Sequence, residues 1–190
     1  ESTGVTGKKL VPPPLGQDVD LSSVPQAKGL AQVLGRAPDD GEALKAEANG
    51  RTLRFTEPDG SIVALKFMKT KERQEEPGKL HREHESFALM QDALGKDYRA
   101  QPRTFSIDGS DHPVVKVSRD DLPPQARKAL DEELARKGME LAEDDGCYYC
   151  MSYRVTGGEA DDYFAYLEDT HDDASFKEGF RSSMETLGKM

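Results

Sequence analysis

Short apolar runs broken by polar turns dominate the chain from Glu42 to Val155. The runs "EALKAEANG", "RTLRFTEPDG" and "SIVALKFMK" are each strand length. Asn49-Gly50 between the first two is a strong hairpin dipeptide, and Pro58-Asp59-Gly60 marks a second turn. The pattern predicts a three-stranded antiparallel meander. "TKERQEEPG" follows as a charged loop, then "KLHREHESFALMQDAL" as a helix whose buried stripe is Leu80, Phe87, Met90 and Leu94. "RTFSIDGSDHPVVKVS" predicts a hairpin turning at Gly109, "LPPQARKALDEELARKGM" a surface helix ending near Gly138, and "CYYCMSYRV" an apolar strand.

The flanks differ. Residues 1–41 are rich in Gly, Pro and Ser and predict a flexible tail or linker with one short helix. Ser23 would cap that helix, Pro25 suits its first turn, and Ala27, Leu30, Ala31 and Leu34 share a face. After Thr156 an acidic stretch, "TGGEADDYFAYLEDTHDDA", leads to a last predicted helix from Ser175.

Composition narrows the function classes. Of 190 residues, 35% are hydrophobic and 33% charged, and the mean hydropathy is -0.74, so some segments are expected not to pack. A net charge of -10 repels nucleic acid and anionic membrane, so neither is an expected partner. No apolar run approaches the roughly 18 residues of a membrane span. Two cysteines are too few for a disulfide scaffold, so reduced thiols in a cytoplasmic location are expected. With "HREH", the "CYYC" pair makes up a zinc-type ligand set, but Cys147 and Cys150 would point to opposite faces of a strand. The reading is therefore no metal site, with two buried thiols and the His81 and His84 imidazoles on the helix surface. Ser182 and Ser183 have no catalytic partners in a known spacing, and Asp161-Asp162 and Asp172-Asp173 read as solvated pairs.

One position needs a separate reason. Lys66 ends the run Val63-Ala64-Leu65, beside Phe67, where a core residue is expected. The sequence "VALK" on a third strand, followed by "LHREHESFALM" on a helix and "CMSYRVTGGE" on a later strand, resembles the small lobe and hinge of the protein-kinase superfamily. The resemblance covers roughly Glu42 to Met190. It implies an α+β fold: a twisted antiparallel sheet with one packed helix over 42–155, a helical insert near 119–145, and a hinge with the start of a helical lobe over 156–190. It also implies that Lys66 meets nucleotide phosphate and that a helix carboxylate orients it. Glu83 is preferred to Glu85 because it shares a face with Phe87, Met90 and Leu94. Val63 and Ala64 would leave room for a flat base. Met151 would stand at the gatekeeper-like position, with the backbone of Ser152 and Tyr153 reaching the base edge.

The departures shape the functional expectation. The first turn is "ANGR" rather than a glycine-rich phosphate loop, and no H-R-D or D-F-G string occurs. ATP and magnesium are expected for the parent family, with weak or no binding by this chain. The chain is expected to be incomplete for phosphoryl transfer by itself, with catalysis supplied, if at all, by sequence after Met190. Two alternatives stand beside this reading. One is a pseudokinase or protein-interaction module that docks a protein partner through its acidic or insert surfaces. The other is a lobe of a small-molecule kinase.

Overall fold

The structure, a computed structural model, describes residues 19–38, 44–46, 50–95 and 98–156, and of 44–46 the backbone alone. The expectations for residues 157–190, including the hinge exit and the first helices of a second lobe, lie outside the described residues.

The meander forms as its pattern requires. Strands β1 (Leu44–Ala46), β2 (Thr52–Thr56) and β3 (Ile62–Phe67) pair antiparallel in sequence order. The β2–β3 turn is closed by Asp59, whose carboxylate accepts from the Ser61 backbone N–H at 2.9 Å and its hydroxyl at 2.6 Å. Strand β9 (Cys147–Val155) lies against the other edge of β3, with Lys66 opposite Met151 and Ala64 opposite Tyr153. Its far edge is taken in turn by β4 (Ala100–Arg103) and β7 (Val115–Ser118), and β8 (Glu143–Asp144) folds back on its start. A separate hairpin, β5 (Phe105–Ile107) and β6 (Ser110–His112), turns at Gly109. The fold class is thus α+β with antiparallel sheets.

Both faces of the sheet are covered, which explains why β3 reads as a continuous apolar run. Successive side chains alternate between faces. Ile62 and Ala64 join Met151, Tyr153, Leu80, Phe87 and Met90 in one cluster, under helix α3 (Lys79–Leu94). Val63, Leu65 and Phe67 join Leu53, Phe55, Phe105 and Cys150 in the other. That second face is roofed by α1 (Leu30–Leu34) through Leu30, Val33 and Leu34, and by α4 (Pro124–Lys137) through Ala126, Leu130 and Leu134. The expectation of one packed helix is therefore corrected. The 119–145 insert is not only a surface helix: its Ala126, Leu130 and Leu134 are buried against this face.

Two local expectations are also corrected. The N-terminal segment from residue 19 is part of the domain rather than a tail. Lys116 donates to the Pro25 carbonyl at 2.8 Å, and Ala27 donates to the Lys116 carbonyl at 2.9 Å. This bridge holds the chain extended where a helix was expected. Ser23 instead ends a 3-10 turn (Leu21–Ser23) capped by Asp20, and α1 begins only after Gly29 at φ 140°. The second correction is "TKERQEEPG", whose first part is helix α2 (Thr70–Glu75) rather than a loop. Its Glu72 accepts from the Lys69 backbone N–H at 2.9 Å and so closes the first turn.

Arg103 ties the N-terminal segment to the sheet. Its guanidinium donates to the Leu34 carbonyl at 2.8 Å, the Val33 carbonyl at 3.2 Å and the Ser152 hydroxyl at 2.6 Å. A segment held this way should contribute to global stability. Leu34→Ala is expected to cost about 2–5 kcal/mol in urea denaturation, as for a buried leucine. A loss under about 0.5 kcal/mol would mean that 19–38 is a peripheral strap.

Candidate functional site

Lys66 and Glu83 meet. The Lys66 ammonium lies 2.9 Å from a Glu83 carboxylate oxygen, across the contact between β3 and α3, and both side chains are almost wholly buried. Strand alternation turns Lys66 to the same face as Ala64. The helical stripe of Leu80, Phe87 and Met90 turns Glu83 toward it. Glu85, the competing carboxylate, is exposed.

The pair is part of a longer chain of charges. Arg51 follows the first meander turn and is fully buried. It binds Glu72 of α2 at 2.5 Å and reaches the second Glu83 oxygen at 4.0 Å. Glu72 in turn accepts from Lys79, the first residue of α3, at 2.8 Å. Signs alternate along Lys66, Glu83, Arg51, Glu72 and Lys79, and no side chain in the chain exceeds 7% exposure. Burial by itself would raise the Glu72 carboxyl, but the Arg51 and Lys79 charges outweigh it and hold it at about 2. Alternation is the condition on which such charges can be buried together, because each desolvated ion then has an opposite neighbour.

Three of these five residues escaped the sequence reading. Arg51 sits beside a turn, and "TKERQEEPG" has the composition of a solvated loop. The available signal was the four-residue spacing of Lys79 and Glu83, which places both on one face of α3.

The remaining expected positions divide. Ala64, Met151 and Tyr153 share the Lys66 face, and the Tyr153 ring stacks on Phe87 at a centroid distance of 4.7 Å. Ala64 is therefore covered by core rather than facing an open slot. Val63 and Ser152 turn to the opposite face: Val63 packs with Leu53 and Phe55, and the Ser152 hydroxyl donates to the Ala64 carbonyl at 2.8 Å. The backbone of Ser152 and Tyr153 does not form a free hinge edge either, because β3 and β4 pair with it on both sides. The apolar alternation continues to Val155 and carries the strand past the expected hinge. At the first turn, Gly50 has φ 81°, and a Cβ there would meet the Met139 methyl at 2.7 Å. Gly50 is thus seated against the end of α4.

The metal-type residues do not converge. Cys147 and Cys150 are buried free thiols, and burial raises both thiol pKa values. A ring nitrogen of His84 lies 3.1 Å from the Arg103 carbonyl, and burial lowers the pKa of both His81 and His84. Among the described residues no group of three or more His, Cys, Asp or Glu is placed to hold a metal ion, and no helix is long and apolar enough to cross a membrane.

The Glu72 carboxyl makes the charge chain testable by pH. Its folded value is depressed from 4.5 to about 2, so its stabilisation is present above 4.5 and is lost as pH falls through 2. A depression of that size corresponds to about 3 kcal/mol. Glu72→Gln should lower stability by that order at neutral pH, and the difference from the unaltered chain should shrink in urea melts taken toward about pH 3. A pH-independent difference would mean that the carboxylate charge is not what Arg51 and Lys79 recognise.

Compared with known proteins, the chain matches no family model, and no curated protein matches it.

Proposed function

We propose that this chain is a kinase-like nucleotide-binding lobe, incomplete for phosphoryl transfer by itself. The observation that carries the reading is the buried Lys66–Glu83 pair at 2.9 Å, joining the third strand of a meander to the helix that follows it. A strand lysine held by a helix carboxylate is what a nucleotide phosphate requires: a positive charge fixed in place before the ligand arrives. Lys66 is the residue that would meet phosphate, and Glu83 the residue that orients it. Ala64 is the small neighbour on the same face, packed under Tyr153 and Phe87. For magnesium the described residues supply no gathered carboxylates, and no step is assigned to it.

A second reading is favoured by a specific observation. Ala64, Lys66, Met151 and Tyr153 are all buried, with Tyr153 stacked on Phe87 in the space next to Ala64. A face closed in this way suits a lobe kept for its shape, as in a pseudokinase or protein-interaction module.

Nucleotide binding separates the two. Under the first reading, Mg·ATP or Mg·ADP raises the melting temperature of the 190-residue chain, with an affinity as weak as about 1 mM. Lys66→Met and Glu83→Gln each reduce that shift while the circular dichroism spectrum is retained. With labelled ATP and generic acceptors no turnover is expected, since phosphoryl transfer needs a base and metal carboxylates. No nucleotide shift at millimolar concentration, or a shift indifferent to both substitutions, would overturn this reading in favour of the interaction module.

A further inference from the structure

The alternating charge chain does more than orient one lysine. Helix α3 is gripped at two points one turn apart: Lys79 by Glu72, and Glu83 by Lys66 and Arg51. Both grips lead back to Glu72, because Glu72 also holds Arg51. Glu72 is itself fixed to the backbone of its own helix by the Lys69 N–H. The planar Arg51 fork between two carboxylates is a stiffer link than a lysine on its flexible stem. Arg51 cannot be displaced by water without leaving buried charges unpaired, since Arg51, Glu72, Lys79, Glu83 and Lys66 are all buried.

We propose that Arg51 and Glu72 are positioning residues that brace α3 against the sheet, so that the Lys66–Glu83 pair stands assembled without ligand, partner or modification. The assignment of a use to that pair rests on the nucleotide reading above; the brace itself does not. A free helix at this place could swing and separate its carboxylate from the strand lysine. Here α2 connects β3 directly to α3 and supplies the carboxylate that prevents the swing. Site assembly is therefore built into the connection between β3 and α3.

Hydrogen exchange of the 190-residue chain tests the brace, with the amides of α3 compared with those of β3 and β9. In the unaltered chain, α3 should exchange slowly, and adding Mg·ATP should slow it no more than it slows β3 and β9. Glu72→Gln and Arg51→Met should each accelerate exchange in α3 on the order of tenfold more than in β3 and β9, whose rates rise only with the loss of global stability. Arg51→Lys, which keeps the charge without the fork, should recover part of the protection. If Arg51→Met does not fold, Glu72→Gln and Arg51→Lys carry the comparison. Unchanged α3 exchange in these variants, acceleration of α3 no greater than that of the sheet, or slowing of α3 by Mg·ATP well beyond that of the sheet in the unaltered chain would each overturn the brace. Calorimetry with Mg·ATP on the same samples keeps the two ideas apart. Selective loosening of α3 without nucleotide binding leaves the brace standing and removes the nucleotide reading, and retained binding with uniform loosening does the reverse.

Discussion

The constraint on which this domain depends is the burial of five charged side chains in one line. Lys66 sits in the middle strand of a sheet covered on both faces, where an unpaired ammonium would be excluded by its desolvation. Glu83 answers it, Arg51 balances the other side of Glu83, Glu72 holds Arg51, and Lys79 completes Glu72. Four elements must be in register for this: the start of β2, β3, α2 and α3. An error in one would leave an ion alone in the core, which is far more costly than a lost apolar contact. The polar chain therefore specifies how the helices dock, and the apolar clusters on either side supply most of the cohesion.

Burial on both faces has a second consequence. The face away from α3 is closed by pieces distant in sequence: residues from the N-terminal segment, the β5–β6 hairpin and α4. Arg103 joins them, capping the last turn of α1 and holding the Ser152 hydroxyl, which in turn donates to the backbone beside Lys66 through Ala64. This polar link ties the N-terminal segment to the backbone of β3. The double cover keeps the line of charges away from water. It also narrows access, since Phe87 and Tyr153 fill the space next to Ala64.

Local signals of high quality were legible directly in the sequence. The Pro58-Asp59-Gly60 turn, the apolar runs of β2, β3 and β9 and the stripe of α3 each follow from a period or a turn chemistry that acts over a few residues. So does the meeting of Lys66 and Glu83, since strand alternation and helical phase each aim one partner. The short N-terminal helix was misjudged because Pro25 and Ala27 spend their backbone groups on Lys116, a partner far along the chain that no local pattern announces.

The sequence by itself determined the antiparallel meander, the helix that follows it and the charged pair between them, because those depend on spacing along one or two neighbouring elements. Only the tertiary structure decided that "TKERQEEPG" begins as a helix, that Arg51 and Glu72 are core residues, and that Val63 and Ser152 turn away from Lys66. The physical reason is that a charged residue carries the same signal in a solvated loop as in a buried network. What separates the two is whether an opposite charge waits at bonding distance, and that distance exists only once the chain has folded.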